Sequence, residues 1–180
     1  MNKTISVPSA QKAYLIFKKY LSEKGCKIYN SKEYNNSRHE LILTDKYYFY
    51  CLYRKHSPDL GTFCKFNNYF SDFIKEYPEF CGHAETINKE IINNIINIIG
   101  QFPEKEFLLI FIYYNEEKEK FTRYACNPYL FKKFAEKHNL IRKHIATDHK
   151  ISNTKIQEIH ETTYHLPFKE MFFKNFDKFI

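Results

Sequence analysis

Hydrophobic and polar positions divide the chain into segments of changing period. After Pro8 and Ser9, the residues Ala13, Phe17, Tyr20 and Leu21 recur at helical spacing, with Ser9 as N-cap and Gly25 as the stop. Cys26 to Tyr29 reads as a short strand, followed by a polar loop through Ser37. His39 to Thr44 and Tyr47 to Arg54 are rich in β-branched and aromatic residues and predict two strands joined by a turn at Asp45-Lys46. Phe63 to Gly82 is less regular, with one helix expected between Asn67 and Glu76. Thr86 then caps a helix whose face is traced by Ile87, Ile91, Ile95, Ile98 and Ile99 and widened by Ile92 and Ile96, ending at Gly100. Glu106 to Tyr114 is almost continuously apolar, as a central strand covered on both faces must be, and Lys120 to Cys126 returns beside it. Asn127-Pro128 starts another helix, with Leu130, Phe131, Phe134 and Ala135 inward and Lys132, Lys133 and Lys137 outward. A strand is expected from about Lys155 to Leu166, and a last helix from Pro167 with a stripe of Phe168, Phe172, Phe176 and Phe179.

This order predicts a mixed α+β fold: a central mixed β-sheet flanked by helices. With no repeat or low-complexity linker, residues 1–180 read as a single globular domain. The longest apolar run, Phe107 to Tyr114, is too short to span a bilayer, and the polar start at Met1 to Ala10 does not read as a secretory signal. Cys26, Cys51, Cys64, Cys81 and Cys126 are odd in number and never spaced as C-x-x-C, so free thiols and a reducing, cytoplasmic location are expected.

Charge adds a partner class. The formal net charge is +7, and its distribution is uneven. Residues 1–30 hold six lysines against Glu23 alone, residues 121–150 hold seven basic residues against Glu136 and Asp148, and residues 61–120 carry a net −4. If the fold brings the two basic stretches together, they form a patch suited to a phosphate backbone. Its binding residues would be Lys12, Lys18, Lys19, Arg54, Arg123, Lys132 and Lys133. Bases alternate with aromatics in Tyr47 to Lys55 and in Lys120 to Tyr124; Tyr48, Tyr50 and Arg54 share strand parity and would stack bases while holding phosphates. Core packing competes for at least half of those aromatics.

Arg38 to Asp45 followed by Tyr47 to Lys55, within the order helix, three short strands, helix, strand, strand, helix, resembles the restriction-endonuclease-like, or PD-(D/E)xK, nuclease superfamily. The resemblance implies a carboxylate on one strand and an acid-x-lysine triplet on the next, binding a divalent metal that activates water. It would place Glu40 at the first position, Glu23 as accessory acid, Asp45 nearby, and Arg54 or Lys55 in place of the lysine, with Mg2+ as cofactor if cleavage occurs. The triplet itself departs from the pattern, because Leu52-Tyr53-Arg54 stands there and a strand carboxylate is missing as an oxygen ligand. The resemblance covers about residues 10–115 and rests on topology more than on residues.

Other chemistries find less support. His83 and Glu85 at the mouth of the Ile-rich helix suggest an acid/base pair, for which a local dipole partner is the plainer account. Cys64, Cys81 and His83 lack a fourth zinc ligand, and His144, His149, His160 and His165 fall in pairs whose five-residue spacing suits neither helix nor strand. With four glycines in all, the chain has no phosphate-cradling loop, and it has no G-x-S-x-G. The leading expectation is therefore a protein that binds DNA or RNA through a nuclease-like fold without efficient cleavage. The rivals are an active metal-dependent endonuclease and a non-enzymatic protein-interaction subunit, pairing with itself or another protein through Phe173 and Phe179 of the C-terminal helix.

Overall fold

Two strands set the architecture. In the computed structural model, which describes residues 8–29, 39–54, 63–148 and 157–178, β3 (Tyr47–Arg54) and β5 (Glu106–Asn115) lie parallel at the centre of a six-stranded sheet. For residues 39–40, 63–64, 146–148 and 157–159 the backbone alone is described. The sheet order is β1-β2-β3-β5-β6-β9, where β1 is Ile28–Tyr29, β2 His39–Thr44, β6 Lys120–Cys126 and β9 Lys174–Asn175. All pairings other than β3–β5 are antiparallel. A parallel pair needs a crossover, and here it runs through α2 (Phe63–Tyr69), α3 (Ser71–Glu76), β4 (Ala84–Asn88) and α4 (Lys89–Ile99).

Because side chains alternate along a strand, the unbroken apolar run of β5 fills two cores. Phe107, Leu109, Phe111 and Tyr113 point to one side with Tyr48, Tyr50 and Leu52 of β3; Leu108, Ile110 and Ile112 point to the other with Phe49 and Cys51. The second side is closed by α1 (Ala10–Glu23) through Ala13, Tyr14, Phe17 and Leu21. Ser9 starts that helix by accepting a hydrogen bond from the Lys12 amide at 3.2 Å, and Gly25, at φ +81°, takes the left-handed turn that leads into β1. The first side is covered by α2, α3, α4 and α5 (Pro128–Lys137) and by a second sheet of order β4-β8-β7, with β7 at Ile141–Asp148 and β8 at Gln157–Pro167.

Four expectations change. Ala84–Asn88 is a strand rather than the start of the Ile-rich helix, whose cap is Asn88, accepting from the Glu90 and Ile91 amides at 2.8 and 3.4 Å. Pairing with β8 at Thr86↔His165 and Ile87↔Tyr164 outweighs the local helical pattern. Residues 141–148 form β7, for which no strand was expected. Two short helices replace the single one between Asn67 and Glu76. The helix from Pro167 is absent: Phe172 and Phe173 pack on one side of the main sheet and Phe176 on the other, so the chain wraps the sheet edge through β9. Phe173 is 2% exposed, which removes it as an interaction surface; Phe179 lies outside the described residues.

The Asn127-Pro128 start holds. Asn127 Oδ1 accepts from the Tyr129 and Leu130 amides at 2.9 and 3.1 Å, although Leu130, expected inside, is 39% exposed. Asn127→Ala is expected to cost about 1 kcal/mol, read as a lower urea midpoint at unchanged slope. No helix among the described residues is long and apolar enough to cross a membrane.

Candidate functional site

The carboxyl ends of β3 and β5 place Arg54 beside Tyr113, their partners in the parallel register. Glu85 of β4 meets both from above. Its Oε2 accepts from Arg54 Nε at 3.0 Å and its Oε1 from the Tyr113 hydroxyl at 2.6 Å, while Arg54 Nη2 donates to the Thr86 carbonyl at 2.9 Å. The Glu85 side chain is 5% exposed and that of Arg54 29%. Burial alone would raise the Glu85 carboxyl, but the Arg54 charge, helped by His83 and the Tyr113 hydroxyl, outweighs it and holds the group down at about 2. The same burial, reinforced by the Glu85 charge, pushes the Tyr113 hydroxyl far up, so it stays a donor. Glu85 and the Thr86 carbonyl therefore hold Arg54 by Nε and Nη2 at the wall of a cleft that it lines.

That cleft measures about 800 Å³ and lies between the end of β3, helix α2 and one face of the second sheet. The face is built by alternation. Registers Thr86↔His165, Asn88↔Thr163, Arg142↔Thr163 and His144↔Glu161 put these polar residues on one side, while Ile87, Tyr164 and Ile141 face the core. Arg142 lies flat on Tyr69, its guanidinium carbon 3.4 Å from the ring centre, and Tyr69 is 44% exposed. Lys65 lines the same space. Among the described residues neither Arg142 nor Lys65 has an ion-pair partner. His144 Nε2 is 3.2 Å from Glu161 Oε2. His165 is buried against Phe70 and shares a 3.3 Å contact with Thr163 Oγ1; burial, with Arg142 and His144 nearby, pushes its imidazole down to about 4. It is a neutral hydrogen-bonding group at neutral pH.

Of the expected nucleic-acid residues, only Arg54 belongs to this cleft. Tyr48 and Tyr50 share its strand face, as parity requires, but are 4% and 7% exposed and pack in the core, so neither can stack a base. Lys12, Lys18 and Lys19 ride on α1 and Lys132 and Lys133 on α5, helices on opposite faces of the main sheet, so the two basic stretches form no common patch. Lys132 instead donates to Asn93 at 2.9 Å. Arg123 is 9% exposed, donates twice to Asp177 Oδ1 at 3.0 and 2.7 Å and covers the Tyr20 ring at 3.9 Å; it clasps β6 to α1 and the C-terminal segment.

The expected catalytic set is also scattered. Asp45, in the β2–β3 turn, accepts from the Tyr29 hydroxyl and stands a whole strand, roughly 25 Å, from Arg54 at the other end of β3. Glu23 is exposed at the end of α1, where it meets Lys19. Glu40 pairs with Cys51 in the β2–β3 register, and its side chain lies outside the described residues. Among the described residues no three His, Cys, Asp or Glu side chains gather as a group that could hold a metal. His83 Nε2 lies 3.6 Å from Glu85 Oε1, beyond hydrogen-bonding reach, and both its ring nitrogens are buried without a partner. It packs on Phe168, away from the cleft. Cys26, Cys51, Cys81 and Cys126 are free thiols.

The residues missed from sequence are Lys65, Tyr69, Arg142, Glu161 and Thr163, while His144 and His165 were weighed only as zinc ligands. Their signal was the alternation Arg142-x-His144 and Glu161-x-Thr163-x-His165, which marks one polar strand face. Fold and site together define a mixed α+β domain with a cation- and aromatic-lined cleft at the carboxyl end of its parallel strand pair. No protein-family model matches the chain, and no curated protein and no solved structure matches it either.

Proposed function

We propose that this protein binds a single strand of nucleic acid in the cleft, within a nuclease-like fold. The observation that carries the reading is the convergence of Arg54, Lys65 and Arg142 on a concave surface that also presents the half-exposed Tyr69. Phosphates need cations, and unpaired bases need planar faces; the Arg142–Tyr69 stack offers one plane, and a strand can thread a cleft of this volume where a duplex cannot. Arg54 would meet a phosphate through the guanidinium hydrogens that Glu85 and the Thr86 carbonyl leave over, and because its side chain is already held, little side-chain entropy is lost on binding. The position agrees with the tendency of ligands to sit beyond the carboxyl ends of parallel strands.

Fluorescence anisotropy with labelled 12-nucleotide RNA and DNA, from low to high salt, tests it. Three phosphate contacts predict a slope of log Kd against log salt of about 2 for a single strand. Arg142→Ala should weaken binding roughly tenfold through lost charge and stacking, whereas Lys132→Ala with Lys133→Ala should leave it unchanged. Absence of binding at low salt, or loss of binding only in the α5 variants, overturns the proposal.

A further inference from the structure

We infer that the cleft also cleaves RNA, with His144 as general base for attack of a ribose 2′-hydroxyl on the adjacent phosphodiester. This inference rests on the binding reading above and narrows its ligand to RNA. His144 and Glu161 are register partners on β7 and β8, with Nε2 and Oε2 3.2 Å apart and both side chains 36% exposed where they line the cleft. A carboxylate this close to Nε2 favours the tautomer that carries its hydrogen there and leaves Nδ1 the lone pair, the arrangement by which a carboxylate prepares histidine as a base. Arg142, two residues away on the same strand face and without an ion-pair partner among the described residues, supplies positive charge where a phosphorane would gain negative charge. An exposed pair of this kind adds about 0–1 kcal/mol to folding, so stability alone gives it little purpose.

The step balances without a co-reactant. The 2′-oxygen forms a bond to phosphorus as His144 Nδ1 takes its proton. The bond from phosphorus to the 5′-oxygen breaks, and that oxygen leaves with the proton returned by the His144 imidazolium. The products are a 2′,3′-cyclic phosphate and a 5′-hydroxyl, and no water or electron is consumed. DNA, lacking the 2′-hydroxyl, would bind and remain intact.

The full-length protein is incubated with a single-stranded oligoribonucleotide and its all-2′-deoxy counterpart in excess EDTA, and termini are read by mass spectrometry while anisotropy follows binding. Expected are RNA fragments ending in 2′,3′-cyclic phosphate, intact DNA, a loss of at least about 100-fold in rate for His144→Ala with affinity within about threefold, and a loss of about tenfold for Glu161→Gln. Because the pair is exposed, both variants are expected to fold, which circular dichroism checks. RNA that binds and stays whole, or cleavage undiminished in His144→Ala, overturns this inference and leaves the binding reading standing. If neither nucleic acid binds, both readings are overturned.

Discussion

Replacing Arg54 by methionine is expected to destabilise the protein by about 3–5 kcal/mol, because it strands a buried carboxylate. In the wild type Glu85 is compensated by the guanidinium at 3.0 Å and the Tyr113 hydroxyl at 2.6 Å. Methionine fills similar volume, so packing changes little and the electrostatic loss dominates. For a chain of this length such a loss lowers Tm by roughly 6–20 °C. Removing both charges is the control: Arg54→Met with Glu85→Gln should recover much of the loss, since a neutral pair leaves no uncompensated charge. The deficit of the single variant should also shrink in acid. With Arg54 present the Glu85 carboxyl sits at about 2, below its ordinary 4.5. The pair's contribution is thus complete above pH 4.5 and fades as pH falls towards 2. Without Arg54, burial dominates and raises that carboxyl, so protonation relieves the variant at higher pH. Urea unfolding at pH 7 and pH 4 separates these outcomes; a single-variant cost under about 1 kcal/mol would mean that water solvates Glu85 and that Arg54 is not held for the cleft.

The same pair shows where sequence reading succeeds and stops. Strand periodicity assigned Tyr48, Tyr50 and Arg54 to one face of β3, and that face is theirs. Periodicity has no term for what covers a face, so two core tyrosines looked like base-stacking groups. The central strand β5 was legible because eight consecutive buried residues, Phe107 to Tyr114, need no partner to be recognised. Arg123 was misread for the opposite reason: its partner Asp177 lies 54 residues on and reaches it only when the chain wraps the sheet edge. The expected basic patch failed on topology. Both helices are amphipathic and lysine-rich, but α1 precedes the sheet and closes one side, while the crossover that makes β3 and β5 parallel fills the other side, where α5 also packs. The cleft stayed hidden because its polar face belongs to β7 and β8, strands that pair across a long connection and with β4, which the isoleucine pattern had disguised as helix.

The titration of His165 is expected to have the second-largest effect on stability. The imidazole is 7% exposed, packed edge-on against Phe70, and faced by Arg142 and His144. Burial first, then the Arg142 charge with His144 nearby, push it down to about 4 from an ordinary 6.5. Its folded value is depressed, so between pH 6.5 and 4 the unfolded chain takes up a proton that the folded protein refuses. Stability then falls as pH falls across that window, by up to about 3 kcal/mol, and the Glu85 contribution begins to fade at its lower end, below pH 4.5. His165→Gln keeps a hydrogen-bonding group beside Thr163 Oγ1 but cannot titrate, so its stability should be nearly flat from pH 6.5 to 4.5 where the wild type's slopes. Equal slopes in the two proteins would show that other groups carry the acid transition. The refusal of a proton has a binding consequence as well. At neutral pH the wall between Arg142 and Thr86 offers an uncharged donor or acceptor, so on the proposed reading this part of the cleft would take a base edge or a ribose hydroxyl and leave phosphate to Arg54, Arg142 and Lys65. If acidification below pH 5 charged His165 in the bound state, the salt slope of binding would steepen by about 0.7, the increment one further phosphate contact gives on a single strand; a slope unchanged at pH 4.5 would place His165 outside the reach of the phosphates.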